Sequence, residues 1–105
     1  MRHGVYAEEG TPQWAQELFE SDTAAIKEVD AVVAVYYGSN GDTGTAWDCG
    51  YAAQLGIPIV LVHVNEDGDS NLKMHVSATT NIYLKDLESY DFNSMPVYEY
   101  SGKVI

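Results

Sequence analysis

The stretch Ala31-Val32-Val33-Ala34-Val35-Tyr36, followed by Gly38-Ser39-Asn40-Gly41-Asp42-Thr43-Gly44, decides the fold. A continuous apolar, β-branched run suits a strand buried on both faces of a parallel sheet, and the glycine-rich stretch after it reads as a loop. C-terminal to the loop, residues 45–55 read as a helix that stops at Gly56, a good residue for the position just past a helix end. Pro58-Ile59-Val60-Leu61-Val62-His63-Val64 then reads as a second buried strand. On the N-terminal side, Thr11-Pro12 is a helix entry, with Thr11 as N-cap and Pro12 in the first helical position. Trp14, Leu18, Ala25, Ile26 and Val29 recur at helical spacing, which predicts an amphipathic helix from residue 12 to about residue 28. Further on, residues 65–70 read as a polar turn, 71–78 as a short helix, 81–84 as a short strand and 96–100 as an edge strand.

Helix, strand, loop, helix, strand is the order of a parallel sheet with crossover helices. Ligands of such open sheets sit beyond the carboxyl ends of the strands. The two stretches that lie at such ends are residues 38–44 and 65–70.

Composition narrows the chemistry. The chain has 105 residues, 46% of them hydrophobic, which suits one domain with one core over its whole length. Sixteen acidic residues against five basic ones give a formal charge of -11. That field opposes binding to a nucleic acid polymer but not to a nucleoside without phosphate. No run reaches the ~20 apolar residues of a membrane span, and the beginning lacks the apolar centre of a signal peptide, so a cytoplasmic location is expected. Cys49 is the sole cysteine, and His3, His63 and His75 are scattered without ligand spacing. No metal and no cofactor are expected.

Three carboxylates stand out. Asp22 lies four residues after Leu18 and four before Ile26, on the stripe expected to face the core. There it must be paired, neutralised or wetted by a pocket, unless the stripe is narrow and Asp22 sits at its solvated edge. Asp42 is placed to cap the following helix and, equally, to hold a ligand hydroxyl. Asp48 is an unfavourable helix-interior residue, and its neighbours a turn away are Gly44, Thr45, Tyr51 and Ala52, three of them small. With small residues around it, its carboxylate faces open space, as a nucleophile or hydroxyl-binding group requires; the alternative is an exposed helical aspartate of no consequence. Gly38, Gly41 and Gly44 match neither the dinucleotide fingerprint nor the P-loop. No G-x-S-x-G nucleophile turn is present.

The segment Asp42-Thr43-Gly44-Thr45-Ala46-Trp47-Asp48-Cys49-Gly50-Tyr51-Ala52 resembles the D-x-G-x-x-x-E-x-G-Y-A signature of the nucleoside 2-deoxyribosyltransferases. The similarity runs upstream through Phe19-Glu20-Ser21-Asp22, Ile26 and Asp30. Downstream it takes in Asn71-Leu72, Val76-Ser77, Asn81-Ile82, Asp91-Phe92-Asn93, Tyr98 and Tyr100-Ser101-Gly102, so it spans essentially the whole chain.

The resemblance implies an α/β, flavodoxin-like parallel sheet flanked by helices, and transfer of a 2-deoxyribosyl group between nucleobases through a covalent sugar–carboxylate intermediate. By position, Asp48 stands at the nucleophile and Asp22 where an aspartate contacts and helps protonate the base. Asp42 and Gly44 fall in the sugar-binding signature, and Asn71 near the residue that a neighbouring subunit lends to sugar binding. The expected partners are therefore a deoxynucleoside, a nucleobase and further copies of the chain. Two departures bear on activity. Asp48 replaces the usual glutamate, and the family's first strand, with its glycine-rich turn, has no counterpart ahead of the first helix. These departures leave a catalytically silent nucleoside-binding module, or a deoxynucleoside hydrolase, as the alternatives.

Overall fold

The computed structural model describes residues 5–38, 43–65 and 68–105. Helix α1 spans Pro12–Lys27. Thr11 caps it, its hydroxyl oxygen accepting from the Trp14 amide at 3.2 Å, and Pro12 opens it. Strand β1 (Val32–Tyr36) leads to α2 (Thr43–Gln54), and then to β2 (Ile59–His63). Gly56 turns the chain out of α2 with φ of +75°, a conformation open to a residue without Cβ. There follow β3 (Asp69–Ser70), α3 (Leu72–Ser77), β4 (Thr80–Tyr83), α4 (Leu84–Leu87) and β5 (Lys103–Val104).

The main sheet has the order β1-β2-β4 and is parallel throughout, with Val33 opposite Val60, Val35 opposite Val62 and Val62 opposite Ile82. It is the flavodoxin-like α/β arrangement expected. A second, two-stranded parallel sheet joins β3 to β5.

Side chains alternate across a strand, so the sheet has two distinct faces. On one, Ala34, Tyr36, Ile59 and Leu61 pack with Ile26 of α1, Cys49 and Ala52 of α2 and Met74 of α3. On the other, Val60, Val62 and Ile82 pack with Tyr90, Leu87, Met95 and Tyr98. This second cover reaches β2 and β4 but stops short of β1. The expectation that the Val32–Tyr36 strand is buried on both faces is therefore wrong. Val33 and Val35 are 45% and 40% exposed, while Val60 and Val62 beside them are fully buried. Strand β2 is enclosed because it has a strand on either side and cover on both faces, whereas β1 borders the sheet among the described residues.

The C-terminal segment also departs from expectation. Residues 96–100 form no strand. They are tied instead by single bonds: the Tyr90 hydroxyl donates to the Pro96 carbonyl at 2.9 Å, and the Tyr98 amide donates to the Thr80 hydroxyl at 2.7 Å. The pairing comes later, where β5 adds to β3. Residues 65–70 are likewise not all turn, since Asp69 and Ser70 are the partner strand. The short strand begins at Thr80, one residue early, and Leu84 already belongs to α4.

Candidate functional site

Helix α2 carries two of the pocket-lining polar side chains. Its first turns hold Gly44, Thr45 and Asp48, and Thr45 and Asp48 line a pocket of about 300 Å³ with Val32, Val33, Ala34, Val35, Tyr37 and Cys49. The pocket runs along β1 from its first residue to just past its carboxyl end. It owes its existence to the open flank of that strand. Asp48 is half-buried, and each of the other side chains on its rim is apolar or weakly polar. Cys49 behind it is buried. Burial, and then the neighbouring Asp48 charge, push its thiol above the usual cysteine range. A thiol held protonated is a poor nucleophile.

Helix α1 lies against α2 through aromatic contacts. Phe19 meets Trp47 edge-on with ring centroids 5.2 Å apart, and Trp47 stacks on Tyr51 at 5.4 Å. Asp22 is one turn beyond Phe19 and so on the same side of α1. It is exposed and does not line the pocket. Of the two readings of the apolar stripe, the solvated edge is the one realised: Ile26 is the buried residue of this helix, with Trp14 and Leu18 half-buried. Gly44 is exposed. Asp42, with the rest of the loop from Ser39, lies outside the described residues.

Asn71 lies beside a neighbouring face of α2, with Cys49 between the two cavities. It caps α3, its Oδ1 accepting from the amides of Lys73 at 3.0 Å and Met74 at 3.3 Å. It lines a separate groove of about 330 Å³ with Ala46, Cys49, Gly50, Lys73, Met74 and Ser77. Within one chain, then, Asp48 and Asn71 open onto different cavities.

The sequence reading passed over a polar and aromatic cluster at the carboxyl edge of the sheet. His63 ends β2, is 2% exposed, and shares a 3.0 Å hydrogen bond with Asn81 Oδ1. Asn81 Nδ2 donates to the His75 carbonyl at 3.2 Å, so its Oδ1 is the acceptor and the His63 Nε2 carries the proton. Burial holds the His63 pKa below its ordinary value despite the Asn81 bond, which raises it. Tyr36 meets this ring edge-on at 5.5 Å, and Tyr100 lies over it at 4.6 Å. Nearby, the buried Asp69 Oδ1, Ser70 Oγ and His75 Nδ1 have no hydrogen-bond partner among the described residues. The signal in the sequence was His63 itself, a polar residue closing an otherwise apolar strand. No group of His, Cys, Asp and Glu among the described residues is arranged to hold a metal, and no described helix is long and apolar enough to cross a membrane.

A model of the nucleoside 2-deoxyribosyltransferase family matches residues 2–91. Among solved structures, the chain is similar to the 2-deoxyribosyltransferase of the psychrotolerant bacterium Bacillus psychrosaccharolyticus. The TM-score is 0.78 at 30% identity, over 93% of this chain and 72% of that one. Comparison with curated protein sequences gives no significant match.

Proposed function

Since this chain belongs to the nucleoside 2-deoxyribosyltransferase family, we propose that it moves a 2-deoxyribosyl group between nucleobases in two displacements at the Asp48 pocket. In the first, an Asp48 carboxylate oxygen bonds to the anomeric carbon while the N-glycosidic bond breaks. The electron pair leaves with the base, which takes a proton from Asp22, a role given to Asp22 through the family resemblance alone, since its side chain lies outside the Asp48 pocket. In the second, a ring nitrogen of the incoming base attacks the same carbon and gives up its proton to Asp22, the sugar–carboxylate bond breaks, and both Asp48 and the Asp22 acid are regenerated. A carboxylate that splits one hard substitution into two easier ones is the logic of retaining glycoside hydrolysis.

Asp42 and Gly44 are assigned to the sugar through the family signature. Asn71 is assigned to the sugar of a neighbouring copy, which makes the working protein an oligomer with shared sites. The separation of Asn71 from the Asp48 pocket within one chain supports that arrangement. The observation that carries the proposal is the half-buried Asp48 on the wall of a 300 Å³ pocket, at the nucleophile's position in the family signature.

The aspartate favours a second reading. Its carboxylate ends one carbon–carbon bond short of a glutamate's, roughly 1.5 Å, and misplacement by ~1 Å can cost about 10²-fold in rate. Water then has time to compete with the acceptor base. Incubation with deoxyinosine and adenine, followed by chromatography, separates the readings. Deoxyadenosine signals transfer, and hypoxanthine with free deoxyribose signals hydrolysis. Binding without turnover, for thymidine as well, marks a silent module and refutes the proposal.

A further inference from the structure

We propose that Tyr36 is a positioning residue that holds Asn71 for its contact with the sugar, an inference resting on the sugar-binding role given to Asn71 above. Tyr36 ends β1, is 5% exposed, and its hydroxyl oxygen accepts the backbone N–H of Asn71 at 3.1 Å. The two residues flanking Asn71 are fastened as well: the Ile105 amide donates to the Ser70 carbonyl and the Leu72 amide to the Ile105 carbonyl, each at 2.8 Å. Asn71 is thus held at its own amide and on both sides.

The side chain is oriented by the same segment. Backbone N–H groups of Lys73 and Met74 point at one end of the Asn71 amide, so that end is Oδ1 and the exposed end is the NH₂. Asn71 therefore presents donors, which suit the lone pairs of a sugar hydroxyl. A rotation of the segment about its backbone would swing the NH₂ away, and among the described residues the Tyr36 hydroxyl is the side-chain group that hydrogen-bonds the Asn71 amide.

Tyr36 is itself over-determined. Its ring packs against His63, which is pinned by Asn81 on one side and covered by Tyr100. It also ends the strand six residues ahead of Asp42 in sequence. One buried hydroxyl thus ties the carboxyl end of β1 to the asparagine the chain lends to its neighbour.

The test compares wild type, Tyr36→Phe, Asn71→Ala and the double variant in KM and kcat for deoxyinosine with adenine, and in Kd for deoxyinosine alone. Tyr90→Phe is the control, because it removes a core tyrosine hydroxyl on the other face of the sheet. We expect Tyr36→Phe to raise KM and Kd about tenfold with kcat within about twofold, and to add nothing in the Asn71→Ala background. Tyr90→Phe lowers thermal stability without moving KM. Asn71→Ala active on KM with Tyr36→Phe silent overturns the positioning role alone. Asn71→Ala silent, or no binding by wild type, overturns the reading of Asn71 and this inference with it. Should Tyr36→Phe not fold, hydrogen exchange of the wild-type Asn71 amide decides. Deoxyinosine slows it about tenfold if that bond carries the sugar contact, and unchanged exchange overturns the role.

Discussion

Val33 and Val60 stand opposite each other in adjacent parallel strands and point to the same face of the sheet, yet Val33 is 45% exposed and Val60 is fully buried. The same residue in the same register has a different environment because the Tyr90–Tyr98 cover spans β2 and β4 only.

That contrast predicts an unequal cost of truncation. Val60→Ala removes fully buried methyl groups and leaves a cavity, for a loss of about 2 kcal/mol. Val33→Ala should stay within about 0.5 kcal/mol. Urea denaturation of the two variants checks this, and equal losses would show that β1 is covered in solution.

Asp48 is expected to govern turnover in both directions. Asp48→Asn should lower transfer by at least about 10³-fold, the scale on which removal of a nucleophile acts. Asp48→Glu restores the family's longer carboxylate and should raise the transfer rate by about 10- to 100-fold. Initial rates of deoxyadenosine formation measure both. An unchanged rate in Asp48→Asn would place the nucleophile elsewhere.

Gly102 is predicted to be intolerant of any side chain. A Cβ there would run into the hydroxyl and ring carbons of Tyr100, whose ring lies over His63. Gly102→Ala should cost about 1–3 kcal/mol through overpacking, read as a lower urea midpoint. Gly10→Ala is not a fair control, because Gly10 has φ of +89°. Gly50→Ala is, since a Cβ there meets nothing within 4 Å.

His63 should make the fold sensitive to mild acid. Its pKa is lowered in the native state by burial, so between the ordinary value of about 6.5 and the lowered one the unfolded chain binds more protons than the native chain. Stability therefore falls as pH drops through that window and levels off, for this group, below the native pKa. Urea midpoints between about pH 5 and pH 7 should show a slope that His63→Gln flattens. The same slope in the variant would assign it to other groups.

How far the sequence carried the reading can be judged element by element. The start of α1 was legible because Thr11 and Pro12 act through local backbone hydrogen bonding and φ, within one turn. The end of α2 was legible in Gly56 for the same local reason. The parallel pairing of β1 and β2 followed from a helix standing between two apolar runs. Asp48 was legible as a group beside open space because small residues surround it within its own helix. The chemical role proposed for it rests on the family signature.

The tertiary structure decided the rest, since it depends on partners remote in sequence. Whether Val33 is covered, whether Asp22 faces core or solvent, and which cavity Asn71 lines depend on elements many residues away. So does the pairing of Lys103 and Val104 with Asp69 and Ser70, which a two-residue strand has no periodicity to announce. The Tyr36–Asn71 hydrogen bond joins residues 35 positions apart. Local propensity and spacing act over a few residues, whereas burial and long-range hydrogen bonds exist only once the sheet has brought its strands together.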